Sequence, residues 1–276
     1  MKLRNDVIEI QVDPKGAELN SLIDINTDTE YMYQKTQGWW QGVSPVLFPY
    51  IGATQNSQIK IDGKVYPTSK HGFLRDKEFV SQQEDESLVF TYQSTEDDYA
   101  SYPYRFTLRI IYTLNGKSVH VQYQLENKED HMMYYALGGH PAFHFESGDT
   151  VVYKGSDLLT RFTLDGPFIN DKYEERVESY VFSQDLFKDD ALIHQGVNEV
   201  TLKSKTRELT VDVSEFTYVG LWSMVKNGEM GPFVCVEPWQ GVPDEVGFVG
   251  DISEKLGIQS LSSKEKTVLN FSIKIK

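Results

Sequence analysis

Apolar and polar residues alternate along most of this chain. Phe106, Leu108, Ile110, Tyr112 and Leu114 are separated by residues such as Thr107, Arg109 and Thr113. Val119, Val121, Tyr123 and Leu125 then alternate with His120, Gln122, Gln124 and Glu126. Between the two runs stands Asn115-Gly116, a pair that tolerates positive φ at both positions and predicts a tight β-hairpin. The same logic joins Ile59 and Ile61 to Val65 and Tyr66 across Asp62-Gly63, and pairs Val200 and Leu202 with Leu209, Val211 and Val213. Ile8, Ile10 and Val12 near the start, and Leu269, Phe271, Ile273 and Ile275 at the end, repeat the two-residue period. One apolar and one polar face per strand is the pattern of antiparallel sheet covered on one side by a core. Helical periodicity is confined to one short candidate around residues 185–193, where Leu186, Phe187 and Ala191 could share a face.

Many short strands punctuated by turn signals predict an all-β protein, a sandwich or barrel. No composition break, linker or internal repeat divides the 276 residues, so a single domain over 1–276 is expected. Hydrophobic residues make up 39% and aromatics 13%, enough apolar surface to order the chain. The formal charge of −14 and the lack of a basic stripe argue against a nucleic-acid partner. The one cysteine, Cys235, allows no intrachain disulfide. Together with a polar N-terminus and no apolar run long enough to span a bilayer, it points to a cytoplasmic protein with no membrane partner. Oligomeric state is left open.

Phosphate loops, dinucleotide fingerprints, nucleophile elbows and zinc-protease motifs are absent. Four irregular segments instead carry polar and aromatic residues that a strand pattern does not require. In Ser44-Pro45-Val46-Leu47-Phe48-Pro49-Tyr50-Ile51-Gly52, two prolines exclude a central strand. In His71-Gly72-Phe73-Leu74-Arg75-Asp76, glycine lets the backbone turn and present an imidazole. In Gly138-Gly139-His140-Pro141-Ala142-Phe143-His144, an extended backbone would turn His140 and His144 to one side. A zinc pair there lacks a clustered third ligand, so the reading is without metal. In Val234-Cys235-Val236-Glu237-Pro238-Trp239, a carboxylate interrupts an apolar strand, which is costly unless it is hydrogen-bonded or useful as a tunable base. A structural ion pair, with Arg75 as the candidate partner, is the competing explanation for Glu237, and Cys235 reads as a buried filler. Trp39, Trp40, Trp222 and Trp239 offer ring platforms of the kind a sugar face stacks on.

Taken in order, Gly16-Ala17-Glu18-Leu19, Pro45-Val46-Leu47-Phe48-Pro49, His71-Gly72-Phe73-Leu74-Arg75-Asp76, Gly138-Gly139-His140-Pro141-Ala142-Phe143 and Glu237-Pro238-Trp239 resemble the aldose 1-epimerase, or galactose mutarotase-like, superfamily, in particular its LacX-type branch. The resemblance implies a large antiparallel β-sandwich with an open cleft, a monosaccharide substrate, and no metal or organic cofactor. It makes His140 the general acid and Glu237 the general base, with His71 beside the sugar and Arg75 near the same pocket; Trp222 and Trp239 are the ring platforms expected to bind it. Relatives commonly carry Arg after the Gly of the Phe-Pro-x-x-Gly stretch; here that position is Ala53. The missing cation favours a free hexose over a sugar phosphate. It also keeps open a non-catalytic sugar-binding or sensing protein of the same fold. A glycosidase would need a second carboxylate beside Glu237, and no carboxylate in the matched stretches is an evident partner for it.

Overall fold

The computed structural model describes residues 1–276. The alternating runs form the strands their period predicts. Phe106–Asn115 and Ser118–Asn127 pair antiparallel from Phe106↔Asn127 to Asn115↔Ser118 around the Asn115-Gly116 turn. Phe106, Leu108, Ile110, Tyr112, Val119, Val121, Tyr123 and Leu125 are all buried. Gln58–Ile61 and Lys64–Pro67 close around Asp62-Gly63, and Leu192–Lys203 pairs with Glu208–Asp212.

These pairings assemble a fifteen-stranded sheet and a four-stranded sheet, with three two-stranded ribbons beside them. The smaller sheet comprises Lys2–Arg4, Ile8–Asp13, Glu18–Asp24 and Thr29–Glu30. Its apolar face (Ile8, Ile10, Val12, Leu19, Leu22) joins Leu108, Ile110, Val119 and Val121 of the larger sheet in one cluster of 57 buried residues. The Tyr112 hydroxyl donates to the Ala17 carbonyl at 2.8 Å and ties the two layers. The molecule is thus an all-β antiparallel sandwich.

At one end of the large sheet the order runs Val46–Leu47, Leu137–Gly139, Phe233–Gln240, Tyr218–Trp222, Leu192–Lys203. Val46–Leu47, between Pro45 and Pro49, is a two-residue terminal strand, because proline cannot donate to a ladder on both sides. The expected helix near residues 185–193 is a correction. Only Gln184–Phe187 winds, as a 3-10 turn, and Leu192 already begins a strand. Asp190 adopts φ of +70°, a left-handed conformation that a helix cannot continue through.

Candidate active site

Glu237 lies on Phe233–Gln240, a strand flanked on both sides within the sheet. Leu137–Gly139 and Ala142–His144 pair with one edge, Tyr218–Trp222 with the other. Every residue of this strand except Gln240 is buried, and the Glu237 side chain is 1% exposed. No cation neutralises it. Its Oε2 accepts from Trp239 Nε1 at 3.2 Å and lies 3.2 Å from His140 Nε2. Burial pushes the carboxyl well above the usual carboxylate range, while the Lys70 charge opposes that shift.

The register explains why His140 is there. Gly138 pairs with Trp239, and Ala142 pairs with Cys235. The same register, carried across the short break at Gly139-His140-Pro141, sets His140 opposite Glu237. The Val236 N–H donates to the Pro141 carbonyl at 3.0 Å and holds the break in line. Burial drives the His140 imidazole well below its usual value. Both members of the pair are therefore biased toward their neutral forms, Glu237 as carboxylic acid and His140 as free base.

His71 arrives from a sharp turn, with φ of +66° at His71 and +72° at Gly72. A Cβ on Gly72 would lie 2.0 Å from the Phe48 carbonyl oxygen, so only glycine fits. The His71 N–H donates to the Gly52 carbonyl at 2.9 Å. Gly52 N–H in turn donates to His71 Nδ1 at 3.1 Å. Nδ1 is thus the acceptor, and the proton of the neutral ring resides on Nε2. Burial, with His140 next largest, lowers the His71 pKa well below normal.

Aromatic rings wall the cleft. Trp40 lies over His140 at 4.6 Å between centroids and 30° between planes. Trp222 meets the same imidazole edge-on at 5.7 Å, and His71 meets it at 5.5 Å. The structure brings His71, Arg75, His140, Trp222, Glu237 and Trp239 to this one cleft. Arg75 does not pair with Glu237; its Nη2 donates to the Lys70 carbonyl. The structural ion pair considered for Glu237 is therefore not formed. His144 is not part of the cleft: the register sets it opposite Phe233, farther along the strand than Glu237, and its imidazole lies 4.0 Å from Glu146. Trp39 packs behind Phe233. Cys235 is buried as expected, yet an imidazole nitrogen, the thiol sulfur and a carboxylate oxygen of His140, Cys235 and Glu237 lie within 4.8 Å of one another.

Lys70 and Asp190 also line the cleft, 3.7 Å apart, and sequence reasoning missed both. Adjacency to His71 was a signal for Lys70; nothing local marks Asp190.

With this geometry in place, comparison with known proteins is decisive for family. The aldose 1-epimerase family model matches residues 1–251. This chain belongs to the aldose 1-epimerase family. The plasmid-encoded Protein LacX of Lactococcus lactis subsp. lactis is 28% identical over 304 residues, covering 98% of this chain and 99% of that one. A galactose mutarotase related enzyme from Lactobacillus acidophilus superposes with TM-score 0.95 at 27% identity, covering 100% and 97% of the two chains. A galactose mutarotase-like protein from Lactobacillus casei gives 0.94 at 28%, covering 100% and 99%. Family and fold support a mutarotase-like, sugar-binding function. No helix is long and apolar enough to cross a membrane.

Proposed function

We propose that this protein is an aldose 1-epimerase that interconverts the α and β anomers of a free hexose. The observation that carries the reading is the 3.2 Å contact between His140 Nε2 and Glu237 Oε2, buried at the foot of an aromatic cleft. Mutarotation requires one group to take the proton of the anomeric hydroxyl while another protonates the ring oxygen. Those two oxygens are bonded to the same carbon, so an acid and a base must stand side by side, as this pair does.

The unliganded pair holds one transferable proton, and burial favours the carboxylic acid with the free imidazole. Passing that proton across the contact generates carboxylate and imidazolium. Glu237 then takes the anomeric hydroxyl proton, His140 protonates the ring oxygen, and the ring opens. Rotation about C1–C2 presents the other carbonyl face. The two transfers run in reverse as the ring closes, and no bond to the protein forms. His71, donating from Nε2, orients the sugar, with Trp222 and Trp239 beside it. The Lys70 charge is engaged by Asp190, which leaves Arg75 as the unpaired cation at the cleft. Ala53, where a further cation would stand, supports a neutral sugar over a phosphate ester, against the one unpaired charge that Arg75 leaves at the cleft.

Ala53, at a position where family members commonly carry Arg, is also what favours the second reading, a sugar-binding protein without catalysis. A polarimetric panel of free aldoses and their 6-phosphates separates the readings. Faster decay of optical rotation with a free hexose is expected. Saturable sugar binding with no change in that rate would establish the second reading, and higher kcat/KM for the phosphates would overturn the free-sugar assignment.

A further inference from the structure

The proton-transfer pair has a third neighbour that mutarotation does not use. Cys235 and Glu237 are two residues apart on one strand, so they face the same side of the sheet. In that register Cys235 stands opposite Ala142, two residues along from His140, and the three donor atoms lie within 4.8 Å of one another. All three side chains are buried. The His140–Glu237 spacing of 3.2 Å is already close to the separation of about 3.4 Å between ligands on a tetrahedral zinc, from metal–ligand distances of about 2.0–2.3 Å. The thiol sulfur, within 4.8 Å of the other two donor atoms, reaches that spacing with a shift on the order of 1 Å.

We propose that His140, Cys235 and Glu237 form a three-ligand binding site for a zinc-type divalent cation at the foot of the cleft. Imidazole, thiolate and carboxylate are the donor types such an ion takes, and three protein ligands leave a fourth position open toward the cleft. Charge supports the assignment. A thiolate and a carboxylate together neutralise a dication, so the buried assembly carries no net charge, whereas neither group has a cation beside it otherwise. The site also has an outer layer: Trp239 Nε1 donates to Glu237 Oε2 at 3.2 Å, and Trp40 covers the imidazole. His140 Nδ1 is buried without a hydrogen-bond partner, so the tautomer of the ring is not fixed from its far side and Nε2 is free to offer its lone pair.

The consequence for activity rests on the proposed epimerase reading. A cation here occupies the lone pair of His140 and the carboxylate of Glu237, the two groups that move protons. The ion is therefore an inhibitor of mutarotation rather than its cofactor.

Two measurements test the proposal separately from the function. Titration with CoCl2 is expected to saturate at one equivalent and to produce a thiolate-to-cobalt charge-transfer absorption in the near ultraviolet. That absorption should vanish in Cys235→Ala and in Cys235→Ser, and ZnCl2 affinity should fall at least about 10–100-fold, the loss seen even for outer partners of a bound metal. ZnCl2 should abolish mutarotation by the unsubstituted protein, a chelator should restore it, and Cys235→Ala should retain activity while resisting zinc. No saturable cobalt binding, or an absorption that survives both substitutions, overturns the site. A protein without measurable mutarotation that still gives the Cys235-dependent absorption would keep the site and discard the epimerase reading.

Discussion

At the scale of single residues, the site is governed by what burial does to charge. Glu237→Gln preserves size and one hydrogen bond but cannot exchange a proton. His140→Asn removes the imidazole. Each is expected to lower kcat at least about 10²-fold with little change in melting temperature, and the double substitution should cost less than the product, since the proposed ring-opening step uses both groups. Full activity in Glu237→Gln refutes the assignment. The pH profile carries a second expectation. Burial lowers His140 from its ordinary 6.5 and raises Glu237 from its ordinary 4.5. The acidic limb of kcat/KM, which marks a second proton reaching the pair, therefore moves below 6.5. The alkaline limb, which marks loss of the last one, moves above 4.5. Arg75 and Lys70 push the imidazole further down; on the carboxyl Lys70 pulls down and Asp190 pushes up, so burial sets its direction. A flat profile across pH 4.5–6.5 is expected, the interval where an exposed pair would titrate twice. A peak inside it would show that the pair is solvated during turnover.

At the scale of elements, what the sequence disclosed follows from how local each cause is. Asn115-Gly116 and Asp62-Gly63 dictate their turns through φ alone, and both hairpins form. Leu186, Phe187 and Ala191 suggested a helix, but Asp190 and the strand pairing of Leu192 limit it to one turn. His71, Arg75, His140 and Glu237 were legible from their segments, because each sits where a strand pattern is interrupted without a packing reason. The proximity of Cys235 to His140 was not, since it depends on a register between segments about a hundred residues apart. Asp244 and Lys255 were invisible too, because the stretch they brace lies 189 residues before Asp244, at Gln55. Their side chains meet at 2.7 Å and are each 1% exposed. Asp244 Oδ2 accepts from the Gln55 N–H at 2.7 Å, and its backbone N–H donates to the Ala53 carbonyl at 3.0 Å. This pair braces the Gly52–Gln55 stretch that holds His71. Lys255→Met leaves a buried carboxylate without its cation and should cost about 3–5 kcal/mol in chemical denaturation. Adding Asp244→Asn should recover part of that loss. A cost below about 1 kcal/mol for Lys255→Met would mean that the pair is solvated.

At the scale of the whole molecule, we propose that the chain unfolds as one unit, because the cluster of 57 residues draws on both sheets from Leu3 to Ile275. Its stability then depends on pH through the buried histidines. Burial lowers His71, His140 and His194 below their ordinary 6.5, the last to about 4. The unfolded chain binds protons at these positions as pH falls through 6.5, and the folded chain does not, so stability falls with falling pH until the folded values are reached. Each contributes a slope of up to about 1.4 kcal/mol per pH unit. Glu237 acts in the opposite sense. Its raised folded value lets the unfolded chain lose a proton above 4.5 while the folded one keeps it, and it offsets about one histidine. The net slope between pH 6.5 and 5 is roughly 2–3 kcal/mol per unit. Relief of self-repulsion from the charge of −14 works against this, but most of that relief waits for carboxylates that titrate near pH 4. The histidine contribution therefore dominates the interval. Urea melts at pH 7 and pH 5.5 should show one transition whose midpoint drops on acidification. His194 lies outside the cleft against Glu175, with Nε2 to Oε1 at 2.7 Å, so His194→Gln isolates the effect. That variant should lose about 1.4 kcal/mol per pH unit of the slope while the Glu237–His140 chemistry is unchanged. Equal midpoints at the two pH values, or an unaltered slope in His194→Gln, would show that these imidazoles are protonated in the folded protein.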